Sequence, residues 1–318
     1  MLEGAHRLVT VNARVTPGEA ILIVTDEPLQ WLAGLVAEEA RKAGGEVVTC
    51  RMAVRSADGA EPPATVAAAM LESEVVFSAV SKSITHSHAM RKALDQGARA
   101  VMLTGYTKDL LTSPALLKTD FVAQSSVCRR VGQVFDQGRQ VRLTSPRGTD
   151  LTFSIEGRKA NVLTNIPAPG ELAPVPDIEV NVVPVTGSAN GRLVADASVP
   201  YLGIGILREE IVCEIEAGFI VSLEGGEQAR ILSEDLSSHG DGNCYNVAEL
   251  GIGLNPNARL TGTMLDDEGV LGTIHLGIGT SHTLGGDVRA PIHYDLLMWA
   301  PRIEVDGQLV QDDRQILV

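Results

Sequence analysis

The chain has 318 residues, 44% of them hydrophobic and 21% charged, which is enough ordinary globular sequence for about two domains. Aromatic residues are only 3% of the chain and the formal net charge is −14. The first argues against a base-stacking platform and the second against polyphosphate partners, so nucleic acid is not an expected partner; neither says much about a small-molecule or short-peptide substrate.

The opening segment MLEGAHRLVTVNARV has no apolar run of signal-peptide length, and no segment nears 18 continuous apolar residues. Cys50, Cys128, Cys213 and Cys244 are scattered, with no CxxC pair. Together these features lead us to expect a cytoplasmic protein without a membrane span, a disulfide framework or a structural zinc site.

In chain order, the first half alternates strands with helices. AILIVTD (20–26) reads as a buried strand, and Leu32, Leu35, Val36 and Ala40 follow at helical spacing until Gly44 and Gly45. EVVTCRM (46–52), EVVFSAV (74–80) and AVMLTGY (100–106) repeat the strand pattern, separated by PPATVAAAMLES and HAMRKALDQGAR as helices. Such spacing predicts parallel βαβ units in a Rossmann-like α/β sheet covered by helices on both faces. Neither GxGxxG nor GxxxxGK[ST] accompanies it, so the sheet brings no phosphate-loop fingerprint.

A further helical pattern runs from Pro114 to Gln137. After Gly138 the character changes. QVRLTSPRGTDLTFSIEG alternates β-formers around a Pro-Arg-Gly-Thr-Asp turn and predicts a hairpin; short strands punctuated by Gly and Pro continue to the end. The expected organisation is an α/β doubly wound domain over residues 1–138 and a β-rich α+β domain over residues 139–318. The GIG runs at 203–205, 251–253 and 277–279 read as close backbone packing beside strands.

The β-rich half concentrates groups that ligate divalent transition metals: Glu249, His275, His282, His293 and Asp295, with Glu171 upstream. On a strand, His293 and Asp295 share a face and Tyr294 takes the other, so this H-x-D pair can present an imidazole and a carboxylate to one ion. A surface histidine beside a strand-edge acid is the bland alternative. His275 points opposite Ile274 and Leu276, where a core histidine bonded to a carbonyl is the competing reading. Glu249 sits in apolar NVAELGIG, and a carboxylate there is costly to bury unless it is paired or bound to a cation. Glu171 lies in stiff IPAPGELAPVP, where a solvated loop acid competes with a rigid ligand. His86 and His88 occupy the end of the third strand, the ligand-facing edge of a parallel sheet. There, too, simple helix capping by Ser83 or Thr85 is the alternative.

Several segments resemble one known family: THSHAMRKA, RGTDLTFSIEGRK, PGE with a later ANG, NVAELGIGLNP, DDEGVLGTIHLGIG and GGDVRAPIHYD. In this order they are similar to the aminopeptidase T/aminopeptidase S metallopeptidases across most of the chain. The resemblance implies two divalent metals (Zn, Co or Mn) held by Glu171, Glu249, His275, His293 and Asp295. It also implies a homodimer and hydrolysis of a small amide or peptide by a metal-activated water. Glu171 or Glu249 would serve as general base, and His282 or His86 would contact substrate or oxyanion. A tyrosine of the peptidases falls near His282 here, and this chain is shorter than theirs. A second branch of the same fold, the 2,5-dihydroxypyridine 5,6-dioxygenases, is similar too. Those ring-cleaving enzymes use one Fe(II), share the H-x-D motif and place a histidine where this chain has Glu249; their catalytic first-domain histidine aligns with His86. The alternatives carried forward are that dioxygenase chemistry and a non-catalytic metal-binding homologue.

Overall fold

The computed structural model describes residues 1–318, and the chain forms two compact units. One comprises Met1–Ser125 and Leu163–Pro176, the other Ser126–Val162 and Asp177–Val318.

In the first unit, β1 (Ala20–Thr25), β2 (Glu46–Arg51), β3 (Val75–Ala79) and β4 (Arg99–Met102) form a parallel sheet in the order β2-β1-β3-β4. On one face, Leu22, Val24, Val76, Ala100 and Met102 pack with Val66 and Met70 of helix Ala64–Leu71 and with Met90, Ala93 and Leu94 of helix His88–Asp95. The residues between them (Ile21, Ile23, Val75, Phe77 and Val101) are buried as well, and helix Gln30–Lys42 packs against β1 and β2. Burial on both faces is why the central strands read as continuous apolar runs rather than alternating ones. Each such Leu or Ile contributes about 1.5–3 kcal/mol on burial.

The strands and helices of this sheet follow the sequence expectation, but the boundary does not. A single crossing near residue 138 was expected; instead the chain leaves at Ser125 and returns for Leu163–Pro176. The returning segment adds Leu172–Pro174 as a fifth strand, parallel to β4. Its backbone is tied in by Gly170 N–H donating to Ala98 O and by Ala100 N–H donating to Glu171 O, each at 3.0 Å. Three prolines in IPAPGELAP disguise this strand as stiff loop. The expected Pro114–Gln137 helix is also split, into Pro114–Leu117 and Phe121–Gln137. The first stops at Leu117, and Asp120 starts the second, its Oδ1 accepting from the N–H groups of Val122 (3.1 Å) and Ala123 (3.0 Å).

The second unit opens with the expected hairpin, Gln140–Thr144 paired antiparallel with Asp150–Ser154 and Val141 opposite Phe153. This hairpin belongs to an eight-stranded sheet that also contains Asn190–Ala195, Ile211–Glu216 and Arg302–Val305. The other large sheet carries the candidate site. Its long strands are β5 (Glu179–Val182), β6 (Val247–Gly253), β7 (Thr273–Gly279) and β8 (His293–Trp299). They run antiparallel in the order β8-β7-β6-β5. Helix Glu227–Ser238, unforeseen in this β-rich half, packs against strand Phe219–Glu224.

Candidate metal centre

Strand register assembles the site. Across the sheet, Glu249 of β6 and Asp295 of β8 both stand opposite Gly277 of β7. His275 of β7 stands opposite Gly251, His293 of β8 opposite Gly279, and Glu179 of β5 opposite Gly253. Each polar side chain on this face therefore has a glycine beside it, while Leu250, Ile252, Ile274, Leu276, Leu296 and Met298 fill the opposite, buried face. The glycines make room. A Cβ on Gly251 would lie 1.9 Å from His275 Nε2, and one on Gly277 would lie 2.8 Å from Glu249 Cβ and 2.9 Å from His293 Cε1. Close backbone packing, the expected meaning of the GIG runs, holds at Gly253, against the Glu268 and Val270 carbonyls, and at Gly279, against the Ile292 carbonyl; at Gly251 and Gly277 what lies against the backbone is the imidazoles.

Glu249 is the hub. Its Oε2 lies 2.8 Å from His293 Nε2, and its Oε1 lies 3.8 Å from His275 Nε2. Asp295 Oδ1 is 3.6 Å from His293 Nε2, and Glu179 Oε2 is 3.3 Å from His275 Nε2. Two triads result, Glu249–His293–Asp295 and Glu179–Glu249–His275, with the ligating atoms of each within 4.8 Å of one another. Glu249 belongs to both, and each contains one imidazole and two carboxylates.

Neighbouring groups fix these side chains. His293 Nδ1 lies 2.8 Å from the Thr280 carbonyl, to which it donates, so Nε2 faces the acids. Asn181 Nδ2 donates to Glu179 Oε1 at 2.6 Å and itself accepts from Asn161 at 2.8 Å. The Tyr201 hydroxyl donates to Asp295 Oδ2 at 2.7 Å and lies 3.1 Å from Glu268 Oε1.

Electrostatics here call for cations. Glu179, Glu249, Asp295, Asp177 and Glu268 are all buried, and only two imidazoles stand among them. Burial pushes Glu179 up to about 7, and burial with the surrounding like charge raises Asp177 and Glu268 well above the carboxylate range. Burial works in the same direction on Glu249 and Asp295, but the imidazoles outweigh it and hold both below their ordinary values. Burial would strip the proton from His275, yet the surrounding carboxylates, Glu179 foremost, raise it to about 10. Asp295 leads the same reversal at His293. A donor set in which protons stand in for missing positive charge suits divalent cations. Asp295 Oδ1 and Glu179 Oε2 are buried without a hydrogen-bond partner, which is the condition of an oxygen shaped for a ligand.

Of the expected site residues, Glu249, His275, His293 and Asp295 meet on this one sheet face. Glu171 is not among them: it is an exposed residue of the first unit whose carboxylate accepts the Ala168 N–H at 2.9 Å. Glu179 occupies the second triad instead. His86 is likewise an exposed residue of the first unit, and His282 is exposed on the turn His282–Leu284 with its Nε2 facing Arg289. Glu179, Asp177, Glu268 and Tyr201 were missed. Glu179 could have been found, since it alternates with Asn181 in an otherwise apolar IEVNVVPV, a buried acid in the same predicament as Glu249.

The model of the 2,5-dihydroxypyridine 5,6-dioxygenase (NicX) family matches residues 5–318, almost the entire chain. The chain belongs to the NicX family. A curated member, the 2,5-dihydroxypyridine 5,6-dioxygenase of Pseudomonas putida KT2440, is 30% identical over 137 residues, 40% of this chain and 39% of that protein. The matched stretch thus spans less than half of that relative. Among solved structures, the 2,5-dihydroxypyridine dioxygenase of Pseudomonas putida KT2440 superposes with a TM-score of 0.86 at 19% identity, covering 100% of this chain and 97% of that one. Wild-type AmpT from Thermus thermophilus superposes with a TM-score of 0.70 at 16% identity, covering 100% and 99%. The fold is therefore common to NicX proteins and AmpT, and the family named is the dioxygenase one. Aminopeptidase T enters through fold alone. No helix is long and apolar enough to cross a membrane.

Proposed function

We propose that the chain is a metal-dependent hydrolase acting on a small amide or peptide, with two divalent ions held by Glu179, Glu249, His275, His293 and Asp295. The observation that carries this reading is Glu249, whose two carboxylate oxygens face different triads, each with its own imidazole. Ions held there would supply an acidified water and would polarise a substrate carbonyl. The protein's own contribution is orientation. The Thr280 carbonyl holds the His293 ring so that Nε2 faces Glu249, Asn181 anchors Glu179, and Tyr201 anchors Asp295. Glu179 takes the ligand position that the family resemblance assigned to Glu171. The exposed His282–Arg289 pair, in the same unit, is our proposed contact for an anionic substrate group.

A second reading is favoured by the family match itself: ring cleavage by a single Fe(II) on Glu249, His293 and Asp295. Its weakness is chemical. The usual facial triad has two histidines and one carboxylate, and neither triad here has two histidines. Metal analysis separates the two. The hydrolase reading expects two Zn, Co or Mn ions per chain and loss of both in Glu249→Gln. One iron per chain with substrate-dependent oxygen uptake overturns it in favour of the dioxygenase.

A further inference from the structure

A third group of buried acids adjoins the two triads and takes no part in them except through Glu179. Asp177, Glu179 and Glu268 each bring a carboxylate oxygen within 4.8 Å of the other two, and all three residues are buried, Asp177 with 3% of its surface exposed. No histidine belongs to this group. Asp177 Oδ1 has no hydrogen-bond partner at all.

The surrounding backbone is built tightly around the group. A Cβ on Gly269 would lie 2.8 Å from Asp177 Oδ1, and one on Gly253 would lie 2.6 Å from the Glu268 carbonyl. Both glycines thus let the turn carrying Glu268 lie directly against β6 and Asp177. Glu179 is held by the Asn181 amide, and Glu268 Oε1 lies 3.1 Å from the Tyr201 hydroxyl oxygen. Three buried carboxylates this close repel one another, and a buried acid without a bonding partner is rare unless something positive belongs beside it.

We propose that Asp177, Glu179 and Glu268 form an oxygen-only site for a hard divalent cation, distinct from the two imidazole-bearing positions. Oxygen donors alone select hard cations, whereas the mixed imidazole–carboxylate triads favour zinc and its neighbours. Glu179 links this site to the neighbouring triad, so the third cation steadies an acid that also serves the metal centre. The site requires no particular reaction at that centre and stands whether the chain is a hydrolase or a dioxygenase.

The test uses full-length protein saturated with Zn²⁺, dialysed, and titrated with Mn²⁺, with free Mn²⁺ followed by electron paramagnetic resonance and total metals by elemental analysis. Wild type is expected to take up one Mn²⁺ per chain beyond its zinc. Asp177→Asn is expected to bind that ion at least about tenfold more weakly while keeping its zinc. Glu268→Gln, which preserves side-chain length, provides the same reading independently should Asp177→Asn not fold. Wild type that takes up no Mn²⁺, or both variants taking it up unchanged, overturns the site. One zinc fewer in the variants, without Mn²⁺ uptake by wild type, overturns the assignment to hard cations. Zinc content reports separately on the imidazole-bearing positions, so their failure is not confused with failure of this one.

Discussion

At the scale of single residues, the site is a balance between buried acids and whatever holds them. Tyr201 is the most exposed to test. Its hydroxyl has one hydrogen, donated at 2.7 Å to Asp295 Oδ2, while Glu268 Oε1 lies 3.1 Å away. Tyr201→Phe removes that donor and leaves the ring in place. We expect a loss of about 10–100-fold in metal affinity with little change in fold, measured by competition with a chromophoric chelator. Unchanged affinity would show that Asp295 needs no such support. Legibility at this scale followed chemical cost. His293, Asp295, His275 and Glu249 were legible because each is a polar group in an apolar strand, where alternation fixes the direction of the side chain. Tyr201 was not, because its role depends on a loop that returns to the sheet.

At the scale of elements, strand register does what no single residue can. Gly251→Ala places a methyl 1.9 Å from His275 Nε2, and the strand cannot yield without displacing its neighbours on both sides. We expect a loss of about 1–3 kcal/mol in unfolding free energy, together with loss of the ion on the His275 triad, from denaturant titration and metal analysis. In the parallel sheet the informative pair is Glu19 with Arg99, 2.7 Å apart and both largely buried. Burial raises the Glu19 carboxyl, but Arg99 and the Thr16 N–H outweigh it and hold it below the ordinary 4.5. A lowered carboxyl contributes stability above its unfolded pKa, and that contribution disappears as pH falls through the folded value. Wild type should therefore lose about 1 kcal/mol or less between neutral pH and the region below 4.5, a loss absent from Glu19→Gln in parallel thermal melts. The βαβ strands were legible because burial on both faces writes an unmistakable apolar run. The register that opposes ligand to glycine was not, since nothing in GIG says which strand will lie alongside.

At the scale of the whole molecule, the acid excess behind the formal net charge of −14 extends inside, where five acids are buried around two imidazoles. Anything cationic that binds the folded state alone stabilises it, by about 2.7 kcal/mol at a hundredfold excess over Kd. Stripping metal with a chelator should lower the melting temperature by several degrees, and Zn²⁺ should restore it. A melt indifferent to both would remove the metal from the account of stability. Family membership accords with the sequence's resemblance to the dioxygenase branch, and the likeness to AmpT accords with the peptidase branch at the level of fold.

The chain's return to its first sheet at Leu163–Pro176 limits how the protein can be divided. A fragment ending at residue 138 would carry β4 with its outer N–H and C=O groups bare, because the strand that pairs with them, Leu172–Pro174, lies beyond the cut. Naked parallel edges invite other chains. The complementary fragment would contain the proline-rich segment Leu163–Pro176 deprived of the sheet it belongs to. Neither half is a module that recombination could trade in one piece, so the parallel sheet and the metal-binding sheet are inherited together.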